Sequence, residues 1–90
     1  MYQFYPWATS QVTVTGTATQ ILALNNSRSG VSIENLGSTD VYLGENANVT
    51  TSTGYLLNGS KGASVSFSTT GAIYGITGGG SATVCVLVTQ

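Results

Sequence analysis

The chain has 90 residues, of which 6% are charged, and its formal net charge at pH 7 is −1. A chain of this length forms one domain with a small hydrophobic core. Arg28 and Lys61 are its two cations, too few for the positive surface that binds nucleic acid or anionic lipid. We therefore expect neither nucleic acid nor a membrane among its partners.

The residue types that carry most catalytic and metal-binding chemistry are scarce. The chain has no histidine, one cysteine (Cys85) and three carboxylates, which lie apart in the sequence without ligand spacing. A catalytic nucleophile needs a base within reach. Cys85 lies in an apolar strand and Lys61 in a turn, positions typical of an inert thiol and a solvated charge. We predict that the protein is not an enzyme and binds no metal or other cofactor.

Residues 1–9 differ in composition from the rest of the chain. They contain four of the eight aromatic residues and the single proline, Pro6, which favours an extended conformation in the residue before it. Aromatic side chains on an extended segment are good anchors, because each buries a large area. We predict an N-terminal aromatic arm over residues 1–9 that binds a neighbouring subunit or a larger surface. The predicted anchors are Tyr2, Phe4, Tyr5 and Trp7. The alternative is that the arm folds back onto its own domain.

Residues 10–90 carry the pattern of a single β-domain. Short segments of alternating apolar and polar residues are separated by Gly, Asn, Ser and Asp, which is typical of strands joined by turns. About eight strands at regular spacing predict a β-sandwich or a jelly-roll-like barrel. Two of the predicted strands lie in residues 31–44, and the others lie in residues 11–15, 18–24, 55–57, 63–68, 72–76 and 81–89.

Residues 31–44 carry the clearest pattern, and we predict that they form a β-hairpin. Four apolar residues alternate with polar ones on either side of a Gly-Ser-Thr-Asp break: Val31, Ile33, Val41 and Leu43. Alternation with a period of two places these side chains on one face of a sheet. Asn35 is in phase with them, and we expect its side-chain amide to cap the turn by bonding nearby backbone groups.

Two later segments have features that bear on contacts with other molecules. Residues 45–54 are polar and without periodicity, which predicts a loop at the rim of the domain. The last strand has apolar residues on both faces, which suggests burial between two layers or at a subunit interface.

The charge-poor composition leaves few residues to protect sheet edges from pairing with other chains. We infer that the edges pair with other copies or are covered by a larger surface.

A sugar-binding module is the alternative that the residues leave open. Exposed Tyr42, Tyr55 or Tyr74 could stack on a glycan, with Asn46 and Asn48 supplying hydrogen bonds. The competing interpretation is that these tyrosines pack as cross-strand partners in the sheets.

Three segments resemble small β-sandwich proteins of tailed bacteriophages, which are encoded near head genes and are similar to capsid decoration (cement) proteins. They are VSIENLGSTDVYLG (residues 31–44), TTSTGYLL (50–57) and TGAIYG (70–75). The resemblance covers most of residues 12–88 and leaves out the arm. Similar hairpins also occur as modules in phage fibre and tail proteins, so a fibre or tail component that binds a host surface is a further alternative.

The resemblance implies a jelly-roll-like sandwich that forms a trimer on the exterior of a capsid. Its partner would be the major capsid protein, and the family offers no catalytic motif to carry over. The first seven residues have no basic segment and no apolar run, so we expect no signal peptide. We therefore expect synthesis in the host cytoplasm and a final location on the virion.

Overall fold

The computed structural model describes residues 6–90, and within this range all regular structure is β. The eight strands are β1 (Trp7–Val14), β2 (Thr19–Leu22), β3 (Gly30–Asn35), β4 (Val41–Gly44), β5 (Tyr55–Leu57), β6 (Ala63–Phe67), β7 (Ile73–Thr77) and β8 (Ala82–Thr89). The predicted all-β sandwich is confirmed. Across the same range, the chain has no helix long and apolar enough to span a membrane.

The strands form two antiparallel sheets of four strands each. Sheet A has the order β1-β8-β3-β6, and sheet B has the order β2-β7-β4-β5. Most consecutive strands therefore alternate between the sheets, which is the arrangement of a jelly roll. β4 and β5 are consecutive strands that do pair with each other, through the long connection of residues 45–54.

The hairpin predicted for residues 31–44 is wrong. β3 pairs with β6 and β8, whereas β4 pairs with β5 and β7, so the two strands lie in different sheets. The four alternating apolar side chains are all buried, but they enter the core from opposite sheets. Alternation specifies which side of a strand faces the core and leaves open whether the next strand lies beside it or opposite it. Residues 36–40 therefore form an arch between the sheets.

The core between the sheets consists of small and medium-sized aliphatic side chains. Its members are Val14, Ile21, Val31, Ile33, Val41, Leu43, Leu57, Ile73, Ala82, Val84 and Val86. β8 runs through the middle of sheet A and contributes three of them. Its opposite face carries the half-buried Cys85 and the exposed Leu87, so the last strand is covered by the second sheet on one face only.

The connections divide the sandwich into two ends. The arch end holds residues 15–18, 36–40, 58–62 and 78–81. The arm end holds residues 23–29, 45–54 and 68–72. Pro6 and Gln90 also lie at the arm end, where the backbone N–H of Gln90 donates a 2.8 Å hydrogen bond to the carbonyl of Pro6.

Asn35 ties the arch end together from inside. Its side chain is fully buried, and Nδ2 donates to the carbonyls of Thr39 at 2.9 Å and Asn58 at 3.1 Å. Its Oδ1 accepts from the backbone N–H of Gly37 at 2.8 Å. The predicted capping role is confirmed, and it extends to the β5–β6 connection, which lies 23 residues further along the chain.

A second contact holds the same two connections together. The Oδ1 atom of Asp40 accepts a 2.6 Å hydrogen bond from the backbone N–H of Gly59. A Cβ atom at position 59 would lie 2.5 Å from the carbonyl oxygen of Ser38, closer than backbone and side chain can approach. Glycine is therefore required at this position, where the two connections meet.

Candidate functional site

Exposed apolar side chains are concentrated at the arm end. Among residues 6–90, six large hydrophobic side chains are exposed: Trp7, Leu24, Tyr55, Leu56, Phe67 and Leu87. All except Leu56 lie in an arm-end connection or in the adjoining part of a strand. Single exposed apolar residues are ordinary on protein surfaces, whereas several at one end indicate a contact surface.

The charged side chains have the opposite distribution. Asp40 and Lys61 lie in arch-end connections, and Glu34 lies in the adjoining half of β3. Glu45 is exposed at the arm end, where the remaining charged residue, Arg28, is 5% exposed. The surface of the arm end is therefore both apolar and poor in charge.

Trp7, one of the four predicted anchors, is the first residue of β1, where it pairs with Thr89. Its side chain is 59% exposed. Ala8 and Ser10 lie on the inward side of β1 but are also exposed, so sheet B offers little cover to this half of the strand. Residues 7–9, which we predicted as part of the arm, thus run as a paired strand.

The other three predicted anchors, Tyr2, Phe4 and Tyr5, lie outside the described residues. Their role in binding stays a prediction, as does a separate arm, which β1 limits to the residues before Trp7. The structure does place the start of the described chain, Pro6, next to Trp7 on an edge strand. The described part of the chain therefore begins at the arm end.

Both edges of sheet A lack charged residues. β1 has eight residues, WATSQVTV, and β6 has five, ASVSF. Soluble proteins usually protect an exposed edge with charge, proline or a bulge, because free backbone groups pair readily with another chain. The two edges lie on opposite sides of the sandwich, and no further strand within residues 6–90 pairs with either of them.

A cleft of about 490 Å³ opens at the arm end between the edge strands β5 and β6. It is lined mostly by apolar side chains: Leu43, Tyr55, Val65, Phe67, Ala72 and Ile73. Leu43 and Ile73 belong to the core, whereas Tyr55 and Phe67 are 64% and 38% exposed. β5 has only three residues, and no strand of the described chain covers this side, so the gap between the sheets remains open. Sequence reasoning missed the cleft, although the short β5 was correctly predicted.

The three tyrosines considered for glycan binding do not come together. Tyr55 borders the cleft, whereas Tyr42 and Tyr74 lie half-buried on the outward side of sheet B. The hydroxyl of Tyr74 accepts a 3.2 Å hydrogen bond from Nε2 of Gln20 on the neighbouring strand. Tyr42 pairs with Leu56 and Ile76. This geometry favours the cross-strand interpretation for Tyr42 and Tyr74.

Residues 45–54 form a packed loop. Val49 is buried, and a Cβ atom at Gly44 would lie 2.6 Å from the Cβ of Val49, so the loop folds back closely over the end of β4. Oδ1 of Asn46 accepts a 2.8 Å hydrogen bond from the backbone N–H of Asn48. The side-chain carbonyl of Asn46 is therefore engaged within the loop. The sequence pattern did not reveal that Val49 anchors it.

Arg28 joins two of the arm-end connections. Its Nε donates to the carbonyl of Thr69 at 2.8 Å, Nη1 donates to that of Ala23 at 3.2 Å, and Nη2 donates to that of Gly71. A buried guanidinium is costly unless its N–H groups find acceptors, and these three carbonyls provide them. No feature of the sequence distinguishes this buried cation from a solvated one.

Residues 6–90 bring no three His, Cys, Asp or Glu side chains together as a group that could hold a metal ion. No protein-family model matches the chain, and no curated protein sequence matches it. The strongest candidate for a functional site is therefore the arm end, with its exposed apolar side chains, its cleft and the base of the arm.

Proposed function

We propose that the protein is a non-catalytic structural protein of a bacteriophage virion, which binds the outside of the capsid lattice and stabilises it. The observation that carries the proposal is the difference between the two ends of the sandwich. The arm end has five of the six exposed large hydrophobic side chains, and the other end has most of the solvated charges. This distribution suits a protein that binds a partner with one end and faces solvent with the other.

The proposed partner is the major capsid protein. The resemblance of residues 31–44, 50–57 and 70–75 to capsid decoration proteins supports this choice, as does the jelly-roll order of the strands. Of the four predicted anchors, Trp7 would contact the lattice directly, and Tyr2, Phe4 and Tyr5 would bind a neighbouring copy in the same assembly and so strengthen attachment. A protein that binds the assembled shell better than separate subunits stabilises the shell by mass action.

The proposed assembly is a homotrimer on the capsid exterior. Two uncharged edges in sheet A support self-association, because an unprotected edge is a liability for a monomer. Three linked copies would also bind the lattice more tightly than one, since the first contact raises the effective concentration of the others.

The first test is the number of copies in purified particles relative to the major capsid subunit, measured by quantitative mass spectrometry. A near-stoichiometric amount is the expected result. A few copies per particle would contradict the proposal and favour a fibre or tail component. Complete absence from particles would also contradict it and leave a free-standing binding module.

The second test measures whether the N-terminal anchors contribute to attachment. Removal of residues 1–5 leaves β1 intact, and we expect it to weaken co-sedimentation with undecorated capsids by about 30-fold or more, as expected for loss of hot-spot residues. Leu56→Ser is the matched control, because Leu56 is exposed and lies outside the apolar arm end. Equal attachment of both variants would contradict a role for the arm.

A further inference from the structure

We propose that the cleft between β5 and β6 binds aromatic side chains from residues 1–5 of a second copy of this chain, so that the copies join head to tail in a closed ring. The inference rests on the proposed function in one respect: both include self-association of the chain. It names the donor and acceptor surfaces of that self-association, and it does not depend on a capsid.

The cleft has the size and chemistry for aromatic side chains. Its volume of about 490 Å³ lies in the range of sites that enclose small molecules. The core residues Leu43 and Ile73 contribute apolar surface to its lining. Glu45 and Thr69 also border it and offer oxygen acceptors for a tyrosine hydroxyl. Tyr2, Phe4 and Tyr5 each have an aromatic ring that could enter the cleft, and the two tyrosines also have a hydroxyl group.

The length of the segment before Pro6 argues against insertion into the cleft of the same molecule. Phe67, at the border of the cleft, lies in one row with Ala8 across sheet A, three strand spacings away. At about 4.8 Å per spacing, the chain must cross about 14 Å. Tyr5 and Phe4 lie one and two residues beyond Pro6, which gives at most about 7 Å of extended chain, and Tyr2 would span the distance only with the segment fully extended. The segment therefore reaches a neighbour more readily than its own cleft.

The positions of donor and acceptor restrict the symmetry of the assembly. The segment leaves from β1 and the cleft lies beside β6, and these strands form the opposite edges of sheet A. A contact between two different surfaces is heterologous, and it gives either a closed ring or an open filament. In a closed ring every N-terminal segment occupies a cleft and no cleft stays empty. A ring of three copies would be the proposed trimer.

A mixing experiment with two complementary variants tests the inference. The first variant, Tyr2→Ser/Phe4→Ser/Tyr5→Ser, has no donor but keeps the cleft. The second, Ala72→Trp, fills the half-buried lining of the cleft but keeps the donor. By native mass spectrometry we expect a ring for the unmodified protein and monomers for each variant alone. An equimolar mixture should give a one-to-one heterodimer and no larger species, because one functional donor meets one functional cleft.

Controls separate docking from folding. Ser81→Trp places the same bulk at an exposed arch-end position and should leave the ring intact. Tyr55→Asp provides a second cleft variant, in which an exposed border residue becomes charged, should Ala72→Trp not fold. Circular dichroism and melting temperature verify each fold.

A peptide with the sequence of residues 1–7 provides an independent readout. We expect it to bind the first variant and to bind Tyr55→Asp at least about 30-fold more weakly. A ring that survives in both variants, or a mixture without the heterodimer, would overturn the inference. Because these measurements use the isolated protein, their failure leaves the copy number in particles unaffected, and absence from particles leaves the ring unaffected.

Discussion

The arch end and the arm end of the sandwich differ in what they expose. At the arch end, Asn35 is fully buried with hydrogen bonds to three backbone groups, and the charged Asp40 and Lys61 face solvent. At the arm end, the core residues Leu43 and Ile73 reach the wall of an apolar cleft. One end is closed by polar contacts within the chain, and the other retains apolar surface.

This difference indicates that the fold is stabilised by the core and by buried polar contacts, whereas the exposed surface of the arm end remains available for binding. Exposed apolar surface contributes nothing to the folding of a monomer, whereas it can supply free energy of association when a partner covers it. Substitutions at the arch end and in the core should therefore lower the free energy of unfolding. Substitutions on the arm-end surface should affect association more than folding.

The largest expected effect on stability is the difference between a charge placed in the core and a charge placed in the cleft. Ile33→Asp should abolish folding, because Ile33 is fully buried and an unpaired carboxylate would enter the core. Val65→Asp should cost about 1–2 kcal/mol and leave the protein folded, since the half-buried Val65 borders a cleft that admits water. Urea unfolding followed by circular dichroism measures both. An unfolded Val65→Asp variant would show that the cleft side belongs to the closed core.

The next effect concerns the polar contacts of the arch end. Asn35→Leu should lower the free energy of unfolding by about 3 kcal/mol, because it leaves the backbone groups of Gly37, Thr39 and Asn58 without their partner. Asn48→Leu makes the same chemical change at an exposed loop position and should cost about 0.5 kcal/mol or less. Similar unfolding midpoints for the two variants would contradict a structural role for Asn35.

A smaller effect is expected from the two cations. Arg28→Met should cost about 2 kcal/mol, because three carbonyl groups of the arm end lose their donor. Lys61→Met, at an exposed position, should change stability by about 0.5 kcal/mol or less. Thermal unfolding of the pair provides the comparison. Equal melting temperatures would mean that the three carbonyl groups form hydrogen bonds with water when Arg28 is replaced.

The smallest change in folding is expected at the base of the arm. Trp7→Ala should lower the free energy of unfolding by about 0.5 kcal/mol or less, because the indole is 59% exposed. The same substitution should weaken capsid attachment. Trp7 is the single tryptophan, so its fluorescence should shift to shorter wavelength when the unmodified protein binds. Clear destabilisation without loss of attachment would assign Trp7 to the fold.

Sequence reasoning succeeded where the determining pattern is local. The bounds of β5 follow from three residues between turn signals, and the capping by Asn35 follows from its phase with Ile33. The arch formed by residues 36–40 could not be distinguished from a hairpin, because the partners of β3 are β6 and β8, far along the chain. Strand pairing over such distances is not encoded in alternation.

The candidate site was less predictable than the fold. Arm aromatics were recognised from composition, but the cleft depends on which strands become sheet edges. The burial of Arg28 depends on the carbonyls of residues 69 and 71, about forty positions away. Val49 was inconspicuous in a polar segment, although it holds the loop against Gly44. Each of these features arises from contacts between distant segments.

The hydrogen bond between Gln90 and Pro6 has a practical consequence for protein engineering. Anything fused after Gln90 would emerge beside the arm and obstruct the surface that we propose for attachment. An inserted epitope or fluorescent domain belongs instead at Gly79, which is exposed at the arch end and has no heavy atom within 4 Å of an added Cβ. The closeness of Pro6 and Gln90 also makes a circular permutant opened at Gly79 feasible, with a short linker that joins these two residues. Such a permutant would display its new ends at the arch end, opposite the end that we propose for attachment.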